Sequence, residues 1–228
     1  MDTADLIIRS ARTFHEELER DEHGRYRSWG HCYKNFHDAR DDSGADLDYL
    51  SLHLAFYLAS WGMYRGSSFL LQKDYLVHAP IVQEVLRDRY DPLLDIECAD
   101  IRREPNLKLL EDLGNAMRSL YREAQVTPTD TLVTKVLMGT LGCVPAYDRY
   151  FIAGIKDQSV VGRGGYSYNR KSVAALADFY VENSKALERA RSGLRVDGLE
   201  YPQMKMLDMG FWQRGFELDP GNIAKEAH

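Results

Sequence analysis

The stretch Val126-Thr-Pro-Thr-Asp-Thr-Leu-Val-Thr-Lys-Val-Leu-Met-Gly-Thr-Leu-Gly-Cys-Val-Pro-Ala-Tyr-Asp-Arg-Tyr-Phe151 lays out two helices and the break between them. Thr127 reads as a cap, Pro128 suits the first helical position, and Asp130 completes a capping-box-like Thr-x-x-Asp. Leu132, Val133, Val136, Leu137 and Leu141 then recur at helical spacing, and Gly142 reads as the stop. After the Gly-Cys-Val-Pro break, Asp148 opens the next helix. A carboxylate there is fixed in direction, partly desolvated and close to a helix dipole. Such a group serves as a simple N-cap, or as a carboxylate that stabilises a cationic transition state or orients a water.

The same periodicity extends outward. Ile7, Ala11, Phe14 and Leu18 form one stripe, and Leu110, Leu113, Met117 and Leu120 a second. Val173, Leu176, Ala177, Tyr180, Ser184 and Leu187 form a third. Tyr49 to Met63 is apolar almost all round, which predicts a central helix enclosed on several sides. No segment sustains a period-two alternation with hairpin turns, so no sheet is expected. The fold class is all-α, with eight to ten helices in two lobes: residues 46–145 as a middle lobe, and residues 1–45 plus 146–228 as the second.

Composition narrows the function classes. Of 228 residues, 44% are hydrophobic and 28% charged, as in ordinary globular chains. No apolar run approaches the roughly 20 residues that cross a bilayer, so no membrane partner is expected. The N-terminal MDTADLIIRS has no basic segment leading into an apolar one, and no secretory signal is expected. Cys32, Cys98 and Cys143 are odd in number and widely spaced, the pattern of reduced cytoplasmic thiols. No His, Asp or Glu set has metal-ligand spacing, and neither metal nor cofactor is expected. The net charge of −6 argues against nonspecific nucleic-acid binding but leaves room for a local basic cleft.

The segment from Lys135 to Phe151 resembles the helix, short break, proline and aspartate-led helix of the helix-hairpin-helix DNA glycosylases. The likeness is strongest over about 25 residues. It implies a two-lobed helical fold, a double-stranded DNA partner, and Asp148 as the catalytic carboxylate. It matches Thr131 to the threonine that follows the DNA-binding hairpin. This chain departs from the family's glycine-rich hairpin: it reads Ala124-Gln-Val-Thr-Pro-Thr-Asp, so Thr127, Thr129, Thr131 and nearby Lys135 become the candidates for holding DNA. The amine nucleophile of lyase-competent members falls at or near Asp130, which implies a monofunctional enzyme that leaves an abasic site. Divergence from housekeeping members, and the lack of an iron–sulfur cysteine set, suggest an unusual or modified base, with defence against phage DNA as a setting.

A second region, Trp61-Gly-Met-Tyr-Arg-Gly-Ser-Ser-Phe-Leu-Leu-Gln72, sets aromatic, thioether and guanidinium groups beside glycines. It is either core plus turn or a wedge for flipped-out DNA, with Met63, Arg65 and Gln72 as DNA contacts and Trp61 and Tyr64 in a base pocket. Tyr147 is a further pocket candidate. So are Tyr166, and Arg163 as a DNA contact, from the Gly162–Lys171 stretch, which is a linker or a substrate loop. Two other functions stay open. One is a non-enzymatic regulatory or scaffold protein in which Asp148 only caps. The other is a HEPN-like ribonuclease, suggested by the resemblance of Arg25-Tyr-Arg-Ser-Trp-Gly-His31 to the arginine–spacer–histidine arrangement of that family.

Overall fold

The structure is a computed structural model that describes residues 2–40, 44–66, 68–162 and 165–222. These residues form an all-α protein. Its helices are α1 (Thr3–Arg20), α2 (Arg27–Ala39), α3 (Leu47–Ser60), α4 (Ala79–Val85), α5 (Cys98–Ile101), α6 (Glu104–Glu123), α7 (Asp130–Thr140), α8 (Arg149–Asp157), α9 (Arg170–Glu182), α10 (Ser184–Arg191) and α11 (Gln203–Glu217). Three short 3-10 segments, Phe69–Gln72, Tyr75–His78 and Asp88–Leu93, link the middle of the chain.

One small sheet departs from the sequence expectation. The strands β1 (Arg195–Val196) and β2 (Leu199–Glu200) pair antiparallel around Asp197-Gly198. Both turn residues have positive φ, 49° and 85°, the twist that an Asp-Gly hairpin turn supplies. The strands are two residues long, too short for any alternation to register.

α7 is the enclosed helix. Every residue from Leu132 to Thr140 is buried, including Lys135. It lies against α2, α3 and α6. α3 does not fill the enclosed role expected for 49–63. Leu50, Leu54, Tyr57 and Leu58 are buried, while Tyr49, Leu52 and Phe56 are 49%, 50% and 60% exposed. An apolar circumference states what a helix can bury, and neighbours decide which side is covered. The stripe expected from Val173 to Leu187 also divides. Asn183 ends α9 and starts α10, and Ser184 is exposed.

At the other end of the chain α11 is nearly as buried as α7. Met204, Leu207, Phe211 and Trp212 are buried, and the helix packs on α1, α8, α9 and α10. Its crossing with α8 is close because glycine faces backbone on both sides. A Cβ on Gly154 would lie 2.0 Å from the Phe211 carbonyl oxygen, and one on Gly215 would lie 1.9 Å from that of Tyr150. Any side chain at either position would push the helices apart. This crossing sets Trp212 over the start of α8.

Candidate active site around Asp148

α7 stops at Leu141 because Gly142 takes φ +66°, a left-handed conformation that glycine adopts without strain. Residues 143–148 then fold back along the helix they have just left. Thr131 Oγ1 donates to the Tyr147 carbonyl at 2.9 Å, and the Tyr147 amide donates to Thr134 Oγ1 at 2.9 Å. The Ala146 amide donates to Asp208 Oδ1 of α11, also at 2.9 Å. Two threonine hydroxyls and one carboxylate thus hold a turn that has no regular structure of its own.

The return brings Asp148 to the head of α8. Its Oδ1 caps the helix, accepting from the amides of Tyr150 and Phe151 at 3.1 Å each. Its Oδ2 accepts from Lys135 Nζ of α7 and from Trp212 Nε1 of α11, both at 3.2 Å. One carboxylate is therefore fixed by three helices. Capping and ion pairing use different oxygens, so the role of N-cap occupies only one of the two oxygens of Asp148.

A second lysine–aspartate pair stands beside the first. Lys205 Nζ lies 2.7 Å from Asp208 Oδ2, one turn along α11. Both pairs face a cavity lined by Phe14, Tyr57, Trp61 and Trp212. The ammonium of Lys135 sits 5.3 Å from the Trp61 ring, and that of Lys205 sits 5.0 Å from Phe14, within cation–π range. Burial, followed by the charge of Asp208, raises the pKa of Tyr57 well above the usual phenol range, so its hydroxyl stays protonated. The cavity volume is about 10 Å³, room for one water molecule. Trp61 covers it, packed edge-on against Trp212 and Tyr26, with Arg25 5.2 Å above its ring. The Trp61 indole N–H is buried and has no hydrogen-bond partner.

The structure separates the other expected residues into groups. Of the four expected pocket aromatics only Trp61 lines this cavity. Tyr147 belongs to the core: it is 1% exposed, and its hydroxyl pairs with Ser172 Oγ at 2.7 Å. Tyr64 is half-buried and joins His78 Nε2 at 2.7 Å, in a chain that continues to Tyr121. Tyr166 is half-buried under Lys156. Lys135, expected as a DNA contact, does not face solvent: its side chain is only 4% exposed and pairs with Asp148. Arg163 lies outside the described residues.

Thr127 and Thr129 are exposed. Thr129 rather than Thr127 is the cap of α7, accepting from the Leu132 amide at 3.2 Å. Asp130 consequently occupies the first turn and pairs with Arg118 at 2.6 Å instead of completing a capping box. Thr131 is committed to the returning turn. Met63 is half-buried, whereas Arg65 and Gln72 are exposed. Gln72 shares an open groove with Phe69, Leu71, Lys73 and Gln125, which places the 69–73 turn beside the approach to α7. Arg25 and His31 diverge: Arg25 stacks over Trp61, and His31 faces Asp197 of the hairpin at 3.3 Å.

Lys205, Asp208, Phe14 and Tyr57 complete the site without having been singled out for it. One signal was present: Lys205 and Asp208 stand three apart inside the apolar run Met204–Trp212, and charges on such a helix need partners. The three cysteines are buried and unbonded, with thiol pKa values raised by burial. Among the described residues no group of three or more His, Cys, Asp or Glu is placed to hold a metal ion, and no helix is long and apolar enough to cross a membrane. Compared with protein families, curated proteins and solved structures, the chain matches none.

Proposed function

We propose that the protein is a monofunctional DNA glycosylase that swings a modified nucleotide out of duplex DNA and hydrolyses its N-glycosidic bond. The observation that carries this reading is the divided coordination of Asp148. Two helix amides fix one oxygen, and the other faces a small cavity walled by aromatic and paired charged side chains, with room for one water. As the base departs, positive charge develops on the deoxyribose. A carboxylate already oriented in a low-dielectric site stabilises that charge without reorganising. Lys135 is the resting counter-charge of Asp148, and the sugar cation would compete with it for the same oxygen.

The cavity admits water and not a base, so a nucleotide must displace part of its wall. Trp61 is the member to move. Phe14, Tyr57 and Trp212 lie within helices, whereas Trp61 is the cap residue that ends α3, followed by Gly62 at φ +78°. A base in that place would stack on Trp212 and offer an acceptor to the freed indole N–H. On the DNA side, Phe69 and Leu71 are 57% and 48% exposed on the turn that carries Gln72, with Arg65 and Lys73 at its flanks. Apolar side chains presented in this way unstack base steps, and the neighbouring cations meet phosphates. Thr127 and Thr129 extend the contact at the start of α7. We place the enzyme in the cytoplasm, where excision of hypermodified bases from phage DNA is the use we infer for it.

Lys135 raises the question of lyase chemistry, since its amine is in the site. An ammonium paired with Asp148 lacks the free electron pair that attack on the sugar requires. The test incubates the protein with duplexes carrying normal, damaged or hypermodified bases, and counts abasic sites with an aldehyde-reactive probe. We expect abasic sites in unbroken strands from one class of modified base, and no covalent adduct on borohydride treatment. Absence of abasic sites across the panel would end the glycosylase reading, and efficient trapping would make a lysine of the site, Lys135 or Lys205, a nucleophile. A second reading, a non-enzymatic partner protein, is favoured by the half-exposed outer face of α3 at Tyr49, Leu52 and Phe56.

A further inference from the structure

The fold leaves the outer face of α3 uncovered, and that face is patterned. Of the eight large hydrophobic side chains exposed among the described residues, seven lie between Leu47 and Leu76. Apolar surface gathered in one place marks an interaction site, whereas scattered exposure needs no explanation. Beyond its first residue, Leu47, the exposed apolar positions of α3 are Tyr49, Leu52, Phe56 and Ala59. Their spacing of three, four and three is that of a seam along which one helix packs against another. α2, α4, α7 and the Tyr75–His78 segment pack on other sides of the helix, so the seam is the side that the described residues leave open.

The two ends of the seam carry opposite charge. At the start, Asp46 caps α3 through Oδ1, accepting from the amides of Asp48 and Tyr49. Asp48 stands in the first turn and accepts from the Tyr75 hydroxyl at 2.9 Å. At the far end Arg65 folds back over Gly62, where an added Cβ would lie 2.7 Å from its Nε. Arg65 is exposed, and among the described residues neither it nor the two aspartates are ion-paired.

The pattern is symmetric about position 54. Turned end for end, the seam sets Leu52 against Phe56 and Tyr49 against the small Ala59, and it brings Asp46 and Asp48 to the end that carries Arg65. A parallel alignment would instead oppose each aspartate to its own copy. A surface that complements itself on reversal is what a two-fold interface requires, since residue i meets j and j meets i.

We infer that α3 docks against α3 of a second copy of this chain, antiparallel across a two-fold axis, to form a homodimer. The seam uses none of Phe69, Leu71 and Lys73, and Arg65 is the one residue it shares with the surface proposed to meet DNA. The dimer does not rest on the glycosylase reading, since its test contains no DNA.

The test follows the mass of the full chain by sedimentation equilibrium, over concentrations from nanomolar to high micromolar. The native chain is expected to pass from monomer to dimer and no further, because a two-fold interface closes on itself. Phe56→Glu puts a charge into the seam of each copy and should leave a monomer at every concentration. Phe56 is 60% exposed, so the melting temperature should hardly change. Arg65→Glu opposes like charges at both ends and should weaken the dimer at least about tenfold, and Asp48→Arg/Arg65→Glu should restore it by reversing both charges. A native chain that stays monomeric or grows past a dimer would overturn the inference. So would a Phe56→Glu variant that still dimerises, an Arg65→Glu variant as tight as native, or a charge reversal that restores nothing.

Discussion

Two lysine–aspartate pairs face the same cavity and do different things. Lys205 and Asp208 are neighbours on α11, and both side chains are nearly inaccessible, at 4% and 6%. The second oxygen of Asp208 goes to the Ala146 amide, so the pair supports the returning turn. Lys135 and Asp148 come from different helices, and Asp148 keeps 15% of its side chain accessible. Its second oxygen goes to the amides of its own helix. One carboxylate holds backbone that lies elsewhere. The other is held by backbone and presents charge to the cavity. Burial and pairing alone do not separate a structural ion pair from the chemical one proposed at Asp148. The proposal rests on what each carboxylate's other oxygen does.

The largest expected effect is at Asp148. Asp148→Asn keeps the capping oxygen, yet it leaves the ammonium of buried Lys135 without a counter-charge. Breaking a buried pair from one side costs about 3–5 kcal/mol, so the melting temperature should fall visibly. Base release should fall by at least about a hundredfold, since the charge opposite the sugar cation is gone. The double variant Lys135→Met/Asp148→Asn should recover most of the stability and none of the activity. Recovery of both would make the first pair as structural as the second.

Asp208→Asn comes next. It too strands a lysine and should cost about 3–5 kcal/mol by denaturant titration. The asparagine oxygen still receives the Ala146 amide, so the protein that remains folded should work within about tenfold of the native rate, roughly 1.4 kcal/mol in barrier. A loss as large as that at Asp148 would erase the distinction between the pairs. Trp212→Phe should do least. It removes one hydrogen bond to Asp148 and leaves an aromatic wall, for about 1 kcal/mol in stability and about a tenfold loss in rate. An unchanged rate would mean that Asp148 does not need the indole for its aim.

The same contrast governs what the sequence made legible. The all-α class, α7, the stop at Gly142 and the cap at Asp148 follow from neighbours within a few residues, and local propensity reports them. The cap of α7 moved from Thr127 to Thr129 because either threonine satisfies the local rule. The sequence offers Lys135 as a candidate DNA contact, and its burial depends on where 143–148 returns, which no periodicity encodes. Lys205, Asp208, Phe14 and Tyr57 reach the cavity from three helices distant in sequence, and their convergence is a tertiary fact. The outer face of α3 misled for the same reason: apolarity was visible and its neighbours were not. The hairpin at Asp197-Gly198 is different, for the turn signal was present and its two-residue strands hid it.

The most direct test sets the two pairs against each other with charge-neutral replacements. Lys135→Met/Asp148→Asn and Lys205→Met/Asp208→Asn each remove one ion pair and keep one amide oxygen in place of a carboxylate. Abasic sites are counted in duplex DNA carrying the modified base that the native protein releases, with each variant first shown to be folded by its melting curve. The account predicts no detectable abasic sites from the first double variant, and a yield within about tenfold of native from the second. Equal yields from the two, whether both high or both absent, would contradict the assignment of chemistry to Asp148 and support to Asp208.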